Sequence, residues 1–288
     1  LKTLSCKSII LTHAPVFGLV SLLVLQACAP LFRKPPAERL DQARIREILS
    51  TVREQENLVN TFFWSGRMVV EENDVENEAG AFVAGSRNPF RIKIELTHAW
   101  GRPLLHLVIQ GERIRIVSFV EKRYYEGNFR HFGRWRLFPA GLGPTRTWSL
   151  LRAYPVLEPY VDAVSTQGNQ IALLDREGRV VQRIELDPRT NFPGACIFPR
   201  QGLEISFSAF HKGPSILYAR ETRVTGEGQD ASLQMKVKQM VFNRTIPETV
   251  FDLEIPPDFE VIPLETRAPF FPEQGENGAR ITCWSVTE

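Results

Sequence analysis

Between Phe90 and Thr97, apolar and polar side chains alternate without a break. Phe90, Ile92, Ile94 and Leu96 hold one parity, and Arg91, Lys93, Glu95 and Thr97 hold the other. Only a strand sends successive side chains to opposite faces, so the segment predicts an antiparallel sheet with one packed and one wet face. The same period begins at Thr61, where Phe62, Trp64, Gly66, Met68 and Val70 alternate with Phe63, Ser65, Arg67 and Val69. Strands are expected again at Ala79–Gly85, Pro103–Gln110, Arg113–Val120 and Arg123–Glu126, with Gly111-Glu112 as a hairpin turn. They resume at Gln170–Asp175, Val180–Asp187, Leu203–Ala209, Ile216–Val224, Ser232–Asn243 and Val250–Leu253.

Two segments depart from that period. From Ala37 to about Asn60, residues Ile45, Ile48, Leu49, Val52 and Val59 recur at steps of three and four, which predicts one amphipathic helix. Midway, Asn128–Pro159 gathers Phe129, Phe132, Trp135, Trp148, Leu150, Leu151 and Tyr154 amid Gly and Pro, with a short helix expected near Thr147–Ala153. The chain thus reads as mainly β with helices. A sheet of about eleven strands curls, and its apolar face must be filled by helices or by a ligand.

A hydrophobic content of 43% and a charged content of 24% exclude wholesale disorder. The net charge of +2 rests on Lys2 and Lys7; without them basic and acidic side chains are equal in number. A neutral surface argues against nucleic acid as a partner.

Those two lysines precede an apolar run whose cleanest part is Val16–Leu25. As helix, ten residues span roughly 15 Å, half of a bilayer core, which suits a signal segment better than a membrane span. Leu25-Gln26-Ala27-Cys28 follows and resembles the lipobox of bacterial lipoproteins. The resemblance implies cleavage before Cys28, lipidation of Cys28, and a place in the cell envelope. Ala29, where an inner-membrane retention signal would have Asp, favours the periplasmic face of the outer membrane. The expected organisation is a signal peptide at 1–27, a lipidated tether at 28–36, a β domain at 37–264 and a tail at 265–288. Cys6 would leave with the signal. Cys196 and Cys283 would remain in an oxidising compartment, either bridged or as thiols.

No HExxH, CxxC, GxSxG, Walker or GxGxxG pattern occurs. His106 falls within an alternating strand and reads as structural; His98 and His131 fall in loops. Asp252 and Glu254 are not singled out by any neighbouring group. No metal, cofactor or catalytic residue is expected, and the chain reads as a binder rather than an enzyme.

Three segments carry a family resemblance: Phe63-Trp64-Ser65-Gly66-Arg67-Met68-Val69-Val70, Arg91 to Leu105 through the loop Thr97–Pro103, and Phe251 to Val261 with its Pro256-Pro257 pair. They resemble the LolA/LolB family of periplasmic lipoprotein carriers and receptors, and Cys28 favours its lipid-anchored receptor branch, LolB. The resemblance implies a half-open antiparallel β-barrel closed by the N-terminal helix and the midway helical insertion. It implies a cavity for lipoprotein acyl chains, here lined by Phe62, Trp64, Met68, Ile92, Ile94 and Leu96. It implies a membrane-insertion loop in which Trp100 stands where the family has a Leu, and a LolA-type periplasmic carrier as donor. Three alternatives stay open. The apolar face could serve another amphiphile, it could be solid core in a structural envelope lipoprotein, and Trp100 could fold back onto the sheet.

Overall fold

The computed structural model describes residues 38–72, 75–130, 143–213, 216–226 and 231–264. The signal segment, Cys28, the tether, His131, the middle of the Asn128–Pro159 insertion, Cys283 and the tail lie outside the described residues. No described helix is long and apolar enough to cross a membrane.

Helix α1 spans Gln42–Asn57. It starts later than the expected boundary at Ala37 because Asp41 caps it, its carboxylate accepting from Arg44 N at 2.7 Å. Six strands follow: β1 Thr61–Glu72, β2 Val75–Ser86, β3 Arg91–Thr97, β4 Pro103–Gln110, β5 Arg113–Ser118 and β6 Arg123–Asn128. Helix α2, Pro144–Leu151, opens with proline, whose missing N–H costs nothing at a helix start. Then come β7 Asp162–Gln167, β8 Gln170–Leu174, β9 Val180–Leu186, β10 Pro193–Phe198, β11 Leu203–Lys212, β12 Leu217–Gly226, β13 Ala231–Phe242 and β14 Glu260–Pro263.

All fourteen strands form one sheet in the order β14-β6-β5-β4-β3-β2-β1-β13-β12-β11-β10-β9-β8-β7. Two meanders, β1–β6 and β7–β13, are joined where β1 pairs with β13, from Phe62↔Phe242 to Glu72↔Ala231. Every pairing is antiparallel except the short parallel one between β14 and β6. The sheet is open, with β14 and β7 at its edges and not paired to each other.

The expected count of about eleven strands is corrected to fourteen among the described residues. Asp162–Gln167 and Pro193–Phe198 escape a reading by alternation because they are short and rich in small or polar residues. β14 escapes it because three of its four residues are exposed. The strand expected at Val250–Leu253 is a 3-10 turn at Glu248–Phe251. Its apolar residues serve packing rather than pairing. Phe251 is buried against Ala84 and Val108 on the outer face of the sheet, with Phe63, Phe82, Val250 and Leu253 around it. The chain after β13 therefore crosses the outer face as a strap before β14 joins the edge. Phe259 of the strap lies edge-on to Phe119 at 5.7 Å, and Phe119 lies edge-on to His106 at 4.8 Å.

Candidate functional site

Register lines up the inner face of the sheet in rows. Trp64 of β1 stands opposite Val83 of β2, Val83 opposite Ile94 of β3, and Ile94 opposite Leu107 of β4. The next rows are Phe62–Gly85–Ile92–Ile109 and Gly66–Ala81–Leu96–Leu105. Phe62, Trp64, Met68, Ile92, Ile94 and Leu96 are brought together on this face and are all buried. They form one continuous core with Ile45, Ile48 and Leu49 of α1 and Trp148, Leu150 and Leu151 of α2. Burying each such side chain contributes about 1.5–3 kcal/mol, so burial against this face holds the two helices in place.

Small residues on β2 make room for this cover. A Cβ at Gly85 would lie 2.6 Å from the Phe62 ring and 3.1 Å from Trp148. Without one, Phe62 and Trp148 meet edge to face at 4.9 Å.

A few polar ties fix the helices. Trp64 Nε1 donates to Leu151 O at 2.6 Å, and Tyr154 Oη donates to Val52 O at 3.0 Å. Arg152 donates to Gln55 O at 2.9 Å and lies over the Tyr154 ring at 4.0 Å. Burial lowers the Arg152 pKa to about 10, against the opposing pull of Tyr154 and Glu56, so it stays charged at neutral pH. Its contact with the last turn of α1 places a cation where helix carbonyls are unpaired. Yet the second helix and its cap are incompletely satisfied. Thr147 Oγ1, Trp148 Nε1, Ser149 Oγ and the Nε and Nη1 of Arg152 are buried without a hydrogen-bond partner. The Arg152–Tyr154–α1 junction is absent from the sequence reading; a charged residue within Leu150-Leu151-Arg152-Ala153-Tyr154 was its one visible signal.

Trp100 is found at the tip of the β3–β4 turn with 86% of its surface exposed. Gly101 N donates to His98 O and His98 N donates to Arg102 O, both at 2.8 Å. Gly101 takes φ +81, a left-handed position that glycine adopts without strain. The turn leaves the indole in solvent beside the His98 ring, with centroids 4.6 Å apart.

The remaining sequence candidates are scattered. Cys196 is a buried free thiol whose pKa burial pushes up to about 12. His106 is half-buried on the outer face. Among the described residues no group of three or more His, Cys, Asp or Glu is placed to hold a metal ion.

No protein-family model matches the chain, and no curated protein matches it. Solved structures are similar at low identity. A DUF1329 family protein from Desulfovibrio piger is 9% identical over 73% of this chain and 97% of that one, with a TM-score of 0.49. A domain assigned to outer-membrane lipoprotein sorting from Vibrio parahaemolyticus is 10% identical over 72% and 97%, with a TM-score of 0.47. A LolA superfamily protein from Nitrosomonas europaea is 10% identical over 72% and 97%, with a TM-score of 0.45.

Proposed function

We propose that this protein is a lipid-anchored receptor of the bacterial outer membrane, holding the acyl chains of lipoproteins against its inner sheet face and passing them to the bilayer. The observation that carries the reading is the pairing of two surfaces. One is a many-stranded apolar face covered, among the described residues, by a 16-residue and an 8-residue helix. The other is a tryptophan held in solvent at the end of the same strands. Displacing the helices would open Phe62, Trp64, Met68, Ile92, Ile94 and Leu96 to a ligand. The unpartnered polar atoms of α2 lower the cost of that displacement, since water or a ligand would satisfy them. Each acyl CH₂ taken from water contributes about 0.8 kcal/mol, the same currency in which the helices are held. Trp100 suits entry into a membrane interface, its ring apolar and its N–H able to meet headgroups. Cys28 would supply the anchor, and differential affinity alone would drive transfer from a LolA-type carrier.

The test is transfer itself. A carrier loaded with labelled lipoprotein is mixed with the Cys28→Ala protein, and the label is followed. Movement of the label supports the receptor reading. Failure to accept it, with binding of a fluorescent fatty acid retained, would point to another amphiphile. Failure of both would leave the inner face as structural core. Cys28→Ala should also release the protein from membranes; continued membrane fractionation overturns the anchor.

A further inference from the structure

Beside the Trp100 turn, the outer face of the sheet carries an open groove of about 780 Å³. Its floor is low because Gly80 stands between Arg67 and Thr97 in the cross-strand row. A Cβ there would lie 2.8 Å from Thr97 Oγ1. One wall is the turn itself, through His98, Ala99 and Gly101. His98 brings a buried Nδ1 that has no hydrogen-bond partner. The other wall is basic. Arg67 and Lys236 are direct cross-strand partners, a like-charge juxtaposition that destabilises a sheet. Lys238, two residues along β13 and so on the same face, joins them at the groove beside the β-bulge between Ser65 and Gly66.

Of the acidic groups nearby, Glu78 bonds Arg67 and Glu95 bonds Lys93, each at 2.8 Å. Glu221, opposite Lys236 on β12, accepts from the neutral Ser208 Oγ and keeps its charge. Lys236 and Lys238 are exposed and have no carboxylate partner among the described residues. Two exposed ammonium groups thus border a groove beside the turn that bears the exposed indole.

We infer that this groove docks the anionic headgroups of a lipid bilayer, setting the orientation in which Trp100 meets the membrane. The inference deepens the reading of Trp100 as a membrane contact and rests on it. A phosphate is the group that matches a donor-rich groove next to an interfacial tryptophan. Tryptophan settles at headgroup depth, and lysines near an anionic surface are attracted to it.

The experiment uses the full chain reconstituted in vesicles of phosphatidylcholine alone or mixed with phosphatidylglycerol. A photoactivatable group is carried on the headgroup, and labelled peptides are mapped. Labelling of Thr97–Gly101 and of Lys236–Lys238 in the anionic vesicles is expected. It should fall by about tenfold or more in Lys236→Gln/Lys238→Gln, each lysine near an anionic surface being worth roughly fivefold. Equal labelling in neutral vesicles, labelling elsewhere, or no effect of the double substitution overturns the proposal. So does loss of labelling on adding soluble glycerophosphate, which would show a site for small anions instead. A second probe in the acyl chains reports Trp100 insertion separately, and fatty-acid binding reports the inner face. Loss of fatty-acid binding with headgroup labelling intact would sink the inner-face reading alone, whereas loss of Trp100 insertion with headgroup labelling intact would overturn the orienting role proposed for the groove.

Discussion

The indole N–H of Trp64, near the start of β1, donates to the backbone carbonyl of Leu151 at the end of α2, 2.6 Å away. This is a hydrogen bond across the inner layer, between residues 87 positions apart, and it pins the second helix to the sheet. Trp64→Phe keeps an aromatic ring and leaves the Leu151 carbonyl unpaired. We expect a loss of about 1–3 kcal/mol in urea unfolding, with little change in the denaturant slope. An unchanged midpoint would mean that α2 is held by apolar contact alone.

Gly85 makes the meeting of Phe62 and Trp148 possible. Gly85→Ala should cost about 1–3 kcal/mol through overpacking, since neither ring can yield without moving the helix. If the helix gives way instead, the variant should bind a fluorescent fatty acid more readily than the parent, at equal protein concentration.

The strap across the outer face depends on Phe251. Phe251→Ala should destabilise by about 3–5 kcal/mol and raise proteolysis after β13. A variant as stable and as resistant as the parent would show that the strap is not part of the cooperative fold.

His106, beside Phe119, has its pKa lowered, mainly by burial, with Lys93 adding to the effect and Glu95 opposing it. The unfolded chain therefore takes up this proton more readily than the folded one. Above the ordinary histidine range both states are neutral and the residue is silent. As pH falls from about 6.5 through the lowered value, its contribution to stability declines. His106→Gln should flatten the acid side of a plot of Tm against pH between about 7 and 5. Parallel curves for the two proteins would exclude His106 as a source of acid sensitivity.

Trp100 is expected to behave in the opposite way to the core residues. Its exposed ring contributes little to folding, so Trp100→Glu should change stability by no more than about 0.5 kcal/mol. Delivery of bound lipoprotein to vesicles should be blocked, because a carboxylate resists entering an apolar layer. Delivery at the parent rate would remove Trp100 from the mechanism.

How much of this was legible beforehand differs by element. The strand with strict alternation, β3, and its neighbours β1 and β4 could be read to within a residue or two. Their period reflects one wet and one dry face, a local property of the chain. The six inner-face residues followed from the same parity. The strap was misread because Val250 and Phe251 look like strand residues. Burial against Ala84 and Val108, some 150 positions away, took them out of the ladder. The groove was invisible for a similar reason. Arg67, Gly80 and Lys236 are ordinary residues until register sets them in one row.

By itself the sequence determined the β class, the parity of β1 and β3 and the amphipathic face of α1. These depend on side-chain period, which acts over a few residues. Only the tertiary structure decided the fourteen-strand order, the helix cover tied by Trp64 and Arg152, and the side on which the strap lies. Those choices rest on pairings between distant segments, whose free energy comes from burial that no short stretch of chain can achieve alone.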